Sequence, residues 1–294
     1  MTQVLWPRIM LIGKNGQVGW ELQRTLATLG RVVAFDRRQL DLSSPEQIRE
    51  RVREIKPNLI VNAAAYTAVD KAEEEPEIAM AINGIAPGIL AEEAKNLNAA
   101  IVHYSTDYVF DGTKATPYTE QDETNPLNVY GKTKLEGEQA IQAVGAPHLI
   151  LRTSWVYGFR GRNFLLTILR LAREREELRI VNDQTGSPTW SRMIAEATAQ
   201  ILAQGDSILT EKQGIYNLSA GGQTSWYGFT KIILTHNTET SLRVKKLTPI
   251  PTSEYPTPAR RPAYSVLSNE KLKKVFGLTM PDWDRALQLV LERP

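Results

Sequence analysis

The chain has 294 residues, 42% hydrophobic and 23% charged, which is the make-up of a globular protein with room for a large core. Lys and Arg number 35 against 33 Asp and Glu, a net charge of +2, so no strong field draws in nucleic acid or an anionic membrane. The absence of cysteine excludes disulfides, thiolate nucleophiles and Cys-ligated metal centres, and it suits a reducing, cytoplasmic setting.

The opening stretch Met1 to Met10 is interrupted by Pro7-Arg8 and carries no cleavage signature, so it reads as mature chain and not as a signal peptide. No apolar run reaches the length of a membrane span. Short apolar runs then alternate with longer amphipathic ones. Arg8–Ile12 reads as a buried strand, 18–29 as a helix, Arg31–Phe35 as a strand, Pro45–Ile55 as a helix and 58–62 as a strand. A helix over 76–97 follows, then strands at 100–105 and 149–153. This alternation predicts βαβ units and an α/β, doubly wound parallel sheet of Rossmann type. Helices at 163–174 and 190–203, a strand at 214–218 and short helices at 268–276 and 281–291 come later. Five prolines between 247 and 262 exclude a helix or a central strand there. The expected division is a dinucleotide-binding domain over 1–158 and a smaller, irregular substrate domain over 159–294, with segments around 211–235 returning to the first.

Gly13, Gly16 and Gly19 lie between the first strand and the first helix. Glycines there allow a tight turn and close approach of a pyrophosphate to the backbone, and the helix start offers unpaired N–H groups to that anion. Asp36 follows the second strand, where an acid holds an adenosine ribose, while Arg37 and Arg38 next to it suit a 2′-phosphate. The choice between NADH and NADPH stays open.

Tyr130 and Lys134 are spaced i, i+4, on one face of a helix. A fixed cation beside a phenol favours the phenolate and brings tyrosine toward a useful acid–base range. Upstream, Ser105-Thr106-Asp107 closes a strand at the carboxyl edge, where open α/β sheets bind ligands. From there Thr106 can bond both a substrate oxygen and the Tyr130 hydroxyl.

The glycine loop, Thr106 and the Tyr130–Lys134 pair together resemble the extended short-chain dehydrogenase/reductases. Segments 13–22, 62–70, 105–112, 128–134, 152–157, 183–189 and 255–262 are more specifically similar to the dTDP-4-dehydrorhamnose reductase family, in that family's order along nearly the whole chain. The resemblance implies NADPH- or NADH-dependent reduction of the C4 ketone of dTDP-4-dehydro-6-deoxy-L-mannose to dTDP-L-rhamnose. It also implies that Tyr130 protonates the alkoxide, Lys134 supports it and binds the nicotinamide ribose, and Thr106 orients the carbonyl. By the same resemblance Gly16, Gln17 and Val18 line the pyrophosphate, Asp36, Arg37, Asp41 and Leu42 bound the adenosine, and Ala63, Ala64, Ala65, Tyr66 and Thr67 lie along the cofactor. Asp107, Tyr108 and Trp155 become sugar-pocket residues, and Arg260 or Arg261 clasps the diphosphate.

Some family members bind Mg2+ between subunits through carboxylates. Glu21 matches one such position, but Arg192 stands where a second acid is expected, so no metal is predicted. A homodimer is left open. The acidic run 70–75 reads as charge favoured at a helix start, and His103, His148 and His236 read as structural. A 4-epimerase or 4,6-dehydratase of the same branch stays open, although Tyr108 occupies the place of a dehydratase's second carboxylate. A non-catalytic partner role, like that of the similar regulatory subunit of methionine adenosyltransferase, is a further alternative, against which Thr106, Tyr130 and Lys134 stand together.

Overall fold

The computed structural model describes residues 6–236 and 242–292; residues 1–5 of the opening stretch lie outside the described residues. The first half runs β1 (Arg8–Ile12), α1 (Gln17–Thr25), β2 (Arg31–Phe35), α2 (Pro45–Ile55), β3 (Leu59–Asn62), α3 (Val69–Ala72), α4 (Pro76–Met80), α5 (Ala86–Asn96), β4 (Ala100–Thr106), α6 (Val129–Val144) and β5 (His148–Thr153). After it come β6 (Val156–Tyr157), α7 (Phe164–Glu174), β7 (Glu177–Val181), β8 (Thr185–Gly186), β9 (Thr189–Trp190), α8 (Ser191–Leu202) and α9 (Ile208–Glu211). The chain continues through β10 (Gly214–Asn217), β11 (Thr224–Ser225), α10 (Trp226–His236), β12 (Lys246–Ile250), α11 (Glu270–Phe276) and α12 (Trp283–Leu291).

Six strands form one sheet in the order β10-β5-β4-β3-β1-β2, every pair parallel. Alternation along the strands buries both faces of the sheet. Ile9 and Leu11 of β1 pack with Leu22, Val102 and Ile194 on the α1 and α8 side, whereas Met10 and Ile12 pack with Ile48, Ile60 and Leu90 on the α2 and α5 side. Burial of both faces explains why these strands are nearly continuous in Val, Ile and Leu. The chain leaves β1 toward β2 on one side and returns as β3 on the other, so a crevice opens at the carboxyl ends of β1 and β3.

Local signals set the helix ends. Ser44 caps α2 by accepting from the Gln47 N–H, and Pro45 supplies the first-turn φ. Asn128 caps α6 through the Gly131 N–H, and Gly145 ends that helix in the left-handed region. The helix expected over 76–97 is broken: a π-helical turn at Ala81–Ile85 separates α4 from α5. That turn aims Asn83 at the loop after β3, where its amide accepts from the Tyr66 N–H (2.8 Å) and donates to the Tyr66 carbonyl (3.0 Å).

A second core lies beyond the sheet. Tyr157, Leu165 and Ile168 pack with Phe229 and Ile233 of α10 and Leu287 of α12. The proline-rich segment enters through β12, which among the described residues pairs only with β7, so Pro249 needs no second ladder partner. Among the described residues no helix is long and apolar enough to cross a membrane.

Candidate active site

A cavity of about 830 Å³ occupies the crevice at the ends of β1 and β3. Gly13 adopts φ +90° and lies so close to the β3 loop that a Cβ would sit 2.8 Å from the Ala63 carbonyl carbon. A Cβ on Gly19 would sit 2.1 Å from the Gly13 carbonyl oxygen, so Gly19 seats α1 against the turn and, contrary to its expected role, does not line the cavity. Gly16 faces the cavity at the start of α1, which has no side-chain cap and no acid in its first turn. The unpaired N–H groups there are free for an anion.

Gln17, Val18, Asp36, Arg37, Asp41, Leu42 and the run 63–67 line the same space. The side chain of Gln17 is already committed, donating to the Val156 carbonyl (3.2 Å) and accepting from Asn163 (2.9 Å), so only its backbone is available to a ligand. Asp36 keeps its carboxyl below the usual range: burial pushes it up, but the Arg38 N–H, the Lys14 ammonium and Asn15 outweigh that. An ionised acceptor beside the basic Arg37 is therefore presented to the adenosine end.

At the other end Tyr130, Lys134, Ser105 and Thr153 close the cavity. A Cβ on Gly131 would sit 2.2 Å from the Tyr108 carbonyl oxygen, so glycine lets the first turn of α6 press onto 107–109 and bring Tyr130 to Thr106. Tyr130 lies beside Thr106, whose hydroxyl favours its ionised form, and packs edge-on against Tyr108 at 5.8 Å. The Thr106 hydroxyl proton points to Asp107 Oδ1 (3.0 Å), while its oxygen accepts from the Tyr108 N–H (3.1 Å). Thr106 thus has one proton and two claimants, the Asp107 carboxylate and an ionised Tyr130.

Three expectations are corrected here. Tyr130 is not drawn down by Lys134: burial pushes it up to about 12, Asp107 adds to this and only the Thr106 hydrogen bond works the other way. The Lys134 nitrogen turns instead to the Tyr104 carbonyl (2.6 Å) and to His103 Nε2 (3.0 Å), and burial brings it down to about 8. Asp107 does not face the sugar side with a free carboxylate. It is 2% exposed, its oxygens take the hydroxyls of Thr106, Ser154 and Ser265, and burial pushes it up to about 6. Arg261, expected to clasp a diphosphate, has its fork on Asp70 at 3.0 and 2.8 Å. Thr106, Asp107, Tyr108, Trp155 and Arg261 all lie outside the cavity lining, Thr106 just behind Tyr130. Trp155 holds φ +45° and stacks on Trp226 with ring centroids 3.4 Å apart.

Sequence reasoning overlooked Ser105 and Thr153, adjacent strand-end hydroxyls whose buried oxygens lack a protein partner and line the cavity. It also overlooked Asn83 and His103. Asparagine inside a helical run and histidine inside a buried strand were the available signals. Arg192, read as displacing a metal ligand, pairs with Glu196 at 2.8 Å.

A sequence profile described as the RmlD substrate binding domain matches residues 7–294. The dTDP-4-dehydrorhamnose reductase of Burkholderia thailandensis is 51% identical over 292 residues, covering 96% of this chain and 97% of that protein. The crystal structure of a dTDP-4-dehydrorhamnose reductase from Clostridium acetobutylicum superposes with a TM-score of 0.90 at 39% identity, over 97% of this chain and 98% of that one. The Bacillus anthracis dTDP-4-dehydrorhamnose reductase, solved in complex with NADP, does so with a TM-score of 0.89 at 35% identity and the same coverage.

Proposed function

Because the chain belongs to the dTDP-4-dehydrorhamnose reductase family, we propose that Tyr130, Thr106 and Lys134 carry its reaction. That reaction is the NAD(P)H-dependent reduction of the C4 ketone of dTDP-4-dehydro-6-deoxy-L-mannose to dTDP-L-rhamnose. The observation that carries the assignment is the placing of Tyr130 and Lys134 at one end of a cavity whose other end has an uncapped helix start and the Asp36–Arg37 edge.

The cavity suits a dinucleotide. Its glycine turn leaves the start of α1 without a side-chain cap, and the buried hydroxyls of Ser105 and Thr153 have no protein partner. Gly16, Gln17 and Val18 would hold the pyrophosphate through backbone N–H groups, and Asp36 and Arg37 the adenosine ribose. A reduced nicotinamide held there would supply the hydride that C4 accepts. Negative charge then develops on the C4 oxygen, and donors aimed at that oxygen stabilise the transition state more than the ketone.

Tyr130 is fully protonated at neutral pH, as an acid must be, and gives its proton to that oxygen. The phenolate left behind would be costly in a buried site. Thr106 relieves the cost by turning its proton from Asp107 to the phenolate, which makes Asp107 the residue that sets the orientation of Thr106. Asn83 holds the 63–67 turn and is bonded to Thr133 of α6 (3.3 Å), so the cofactor loop and the catalytic helix share one brace. A cytoplasmic setting, where nicotinamide dinucleotides are reduced, fits this chemistry.

A coupled assay tests the reading. Upstream enzymes generate the 4-dehydro sugar, and oxidation of NADPH and NADH is followed separately. We expect consumption that depends on substrate, yields dTDP-L-rhamnose and falls by a factor of roughly 10² to 10⁴ in Tyr130→Phe. Folded wild-type protein that consumes neither cofactor would reject the substrate.

A further inference from the structure

His103 lies on β4 between Val102 and Tyr104, which both face the α1–α8 core. Strand alternation therefore turns its imidazole to the opposite face, toward α6. There it is 1% exposed, with Nε2 at 3.0 Å from Lys134 Nζ and Nδ1 at 3.1 Å from the Asn62 amide nitrogen. Asn62 is its register partner on β3, itself fully buried, and its Oδ1 accepts from the Ala64 N–H at 3.2 Å. A continuous buried chain thus runs from the cofactor-lining turn through Asn62 and His103 to Lys134.

Hydrogen-bond accounting fixes the protons along this chain. The Ala64 N–H can only donate, so it takes the oxygen of Asn62 and leaves the amide NH2 facing His103 Nδ1. That nitrogen must then be the acceptor, which puts the imidazole proton on Nε2, pointing at Lys134. An N–H aimed at an ammonium is a clash of donors, whereas aimed at a neutral amine it is a hydrogen bond.

We propose that His103, braced by Asn62, is a positioning residue for the reductase reaction: it holds Lys134 at the cavity and keeps its nitrogen in balance between amine and ammonium. Protonating Lys134 requires the imidazole proton to pass to Nδ1 and the Asn62 amide to turn over. That turn strips the Ala64 N–H of its acceptor, so the proton state of Lys134 is tied to the turn that carries the cofactor. The charges around the pair agree. Lys134 is the charge that acts on His103, and with burial it holds the imidazole far below its usual range. Glu138, one turn along α6, favours the ammonium, but its carboxylate is taken by Arg152 of β5 at 2.9 and 2.6 Å.

The proposal rests on the reductase reading, but its first test does not need activity. The chain has three histidines, so long-range 1H–15N correlations on protein labelled at histidine resolve each ring. We expect His103 neutral throughout, with its proton on Nε2 above about pH 8, where Lys134 is an amine, and on Nδ1 below it, where Lys134 is an ammonium. In Asn62→Asp an acceptor faces Nδ1 while Oδ1 still serves Ala64. The imidazole proton should then stay on Nδ1 above pH 8 as well, and the kcat limb that reports Lys134 should shift up by about one pH unit, with the sugar KM within about twofold. His103→Leu should lower kcat about tenfold at pH 7 with the same KM. A wild-type imidazole whose proton stays on Nδ1 above about pH 9, or an Asn62→Asp enzyme with the wild-type pH profile, would overturn the proposal. Wild-type protein with the Nε2 proton but no reductase activity would instead reject the function and leave the proton arrangement standing.

Discussion

Asp70 and Arg261, 191 positions apart, form a two-pronged ion pair in which each guanidinium Nη meets one carboxylate oxygen. The same carboxylate accepts from the Ala259 N–H at 3.2 Å, and Asn128, the cap of α6, donates to the Arg260 carbonyl at 2.7 Å. The proline-stiffened segment is thereby strapped across α3 and the start of the catalytic helix. The first of the acidic residues in the run 70–75 is thus a specific fastener, beyond the helix-start charge the run suggests.

Loosening that strap should act on the sugar side of the site. Asp70→Asn and Arg261→Ala are expected to raise the KM for the dTDP-sugar several-fold and leave the NADPH KM within about twofold. Because the pair is partly exposed, the loss of stability should stay below about 1 kcal/mol. Steady-state kinetics with each substrate varied in turn, beside urea unfolding, separates the two effects. An unchanged sugar KM in both variants would leave the strap without a role in binding.

Arg37 faces the adenosine end of the cavity beside the ionised Asp36. A guanidinium suits a 2′-phosphate, which NADPH carries and NADH lacks. Arg37→Ala should therefore raise the NADPH KM about tenfold or more and leave that of NADH nearly unchanged. Equal effects on both cofactors would mean that Arg37 reads the diphosphate or the fold instead.

The buried Asp107 makes a signed prediction about pH. Its carboxyl is raised to about 6 from an ordinary 3.8, so the folded protein holds that proton more tightly than the unfolded chain does. Stability from this group is fully present below about pH 4 and is lost as pH rises to about 6. Two units correspond to about 3 kcal/mol. Asp107→Asn should erase that slope, so the stability of the variant relative to wild type should climb by about 2–3 kcal/mol between pH 4 and 7. Parallel stability curves would refute the buried, raised carboxyl.

Lys134 works with the opposite sign. Burial lowers its ammonium from 10.5 to about 8, so the folded protein bears the full cost below pH 8 and recovers it as pH rises to about 10.5. Lys134→Met keeps the volume without the charge. It should abolish most activity yet unfold at higher urea concentration at pH 7, by up to about 3 kcal/mol, with the gain fading above pH 10. A less stable Lys134→Met at pH 7 would mean that the hydrogen bonds to His103 and the Tyr104 carbonyl outweigh desolvation.

Much of the fold is legible in the chain because its signals are local. β1, β2 and α2 fall where apolar runs, Ser44 and Pro45 place them. α10 is not legible, since Trp226–His236 is rich in aromatic and β-branched residues and is helical because it packs on α7 and α12 in the second core. Nor is the π turn at Ala81–Ile85, where the demand for Asn83 at the Tyr66 loop overrides regular helix.

The sequence by itself determined the glycine turn, the alternation of strands and helices through the first half, the i, i+4 spacing of Tyr130 and Lys134 and the chemistry these residue types can perform. These depend on neighbours a few positions apart. Only the tertiary structure decided what each functional group faces: His103 meets Lys134 across 31 positions, Ser154 reaches Asp107 across 47, and Arg261 reaches Asp70 across 191. Such pairs are set by sheet register, by which face of a strand a residue occupies and by where a returning loop lands. Burial then sets their proton affinities, so Tyr130 and Lys134, read from spacing as a phenol and its activating cation, are in the folded protein a protonated acid and a partly discharged amine.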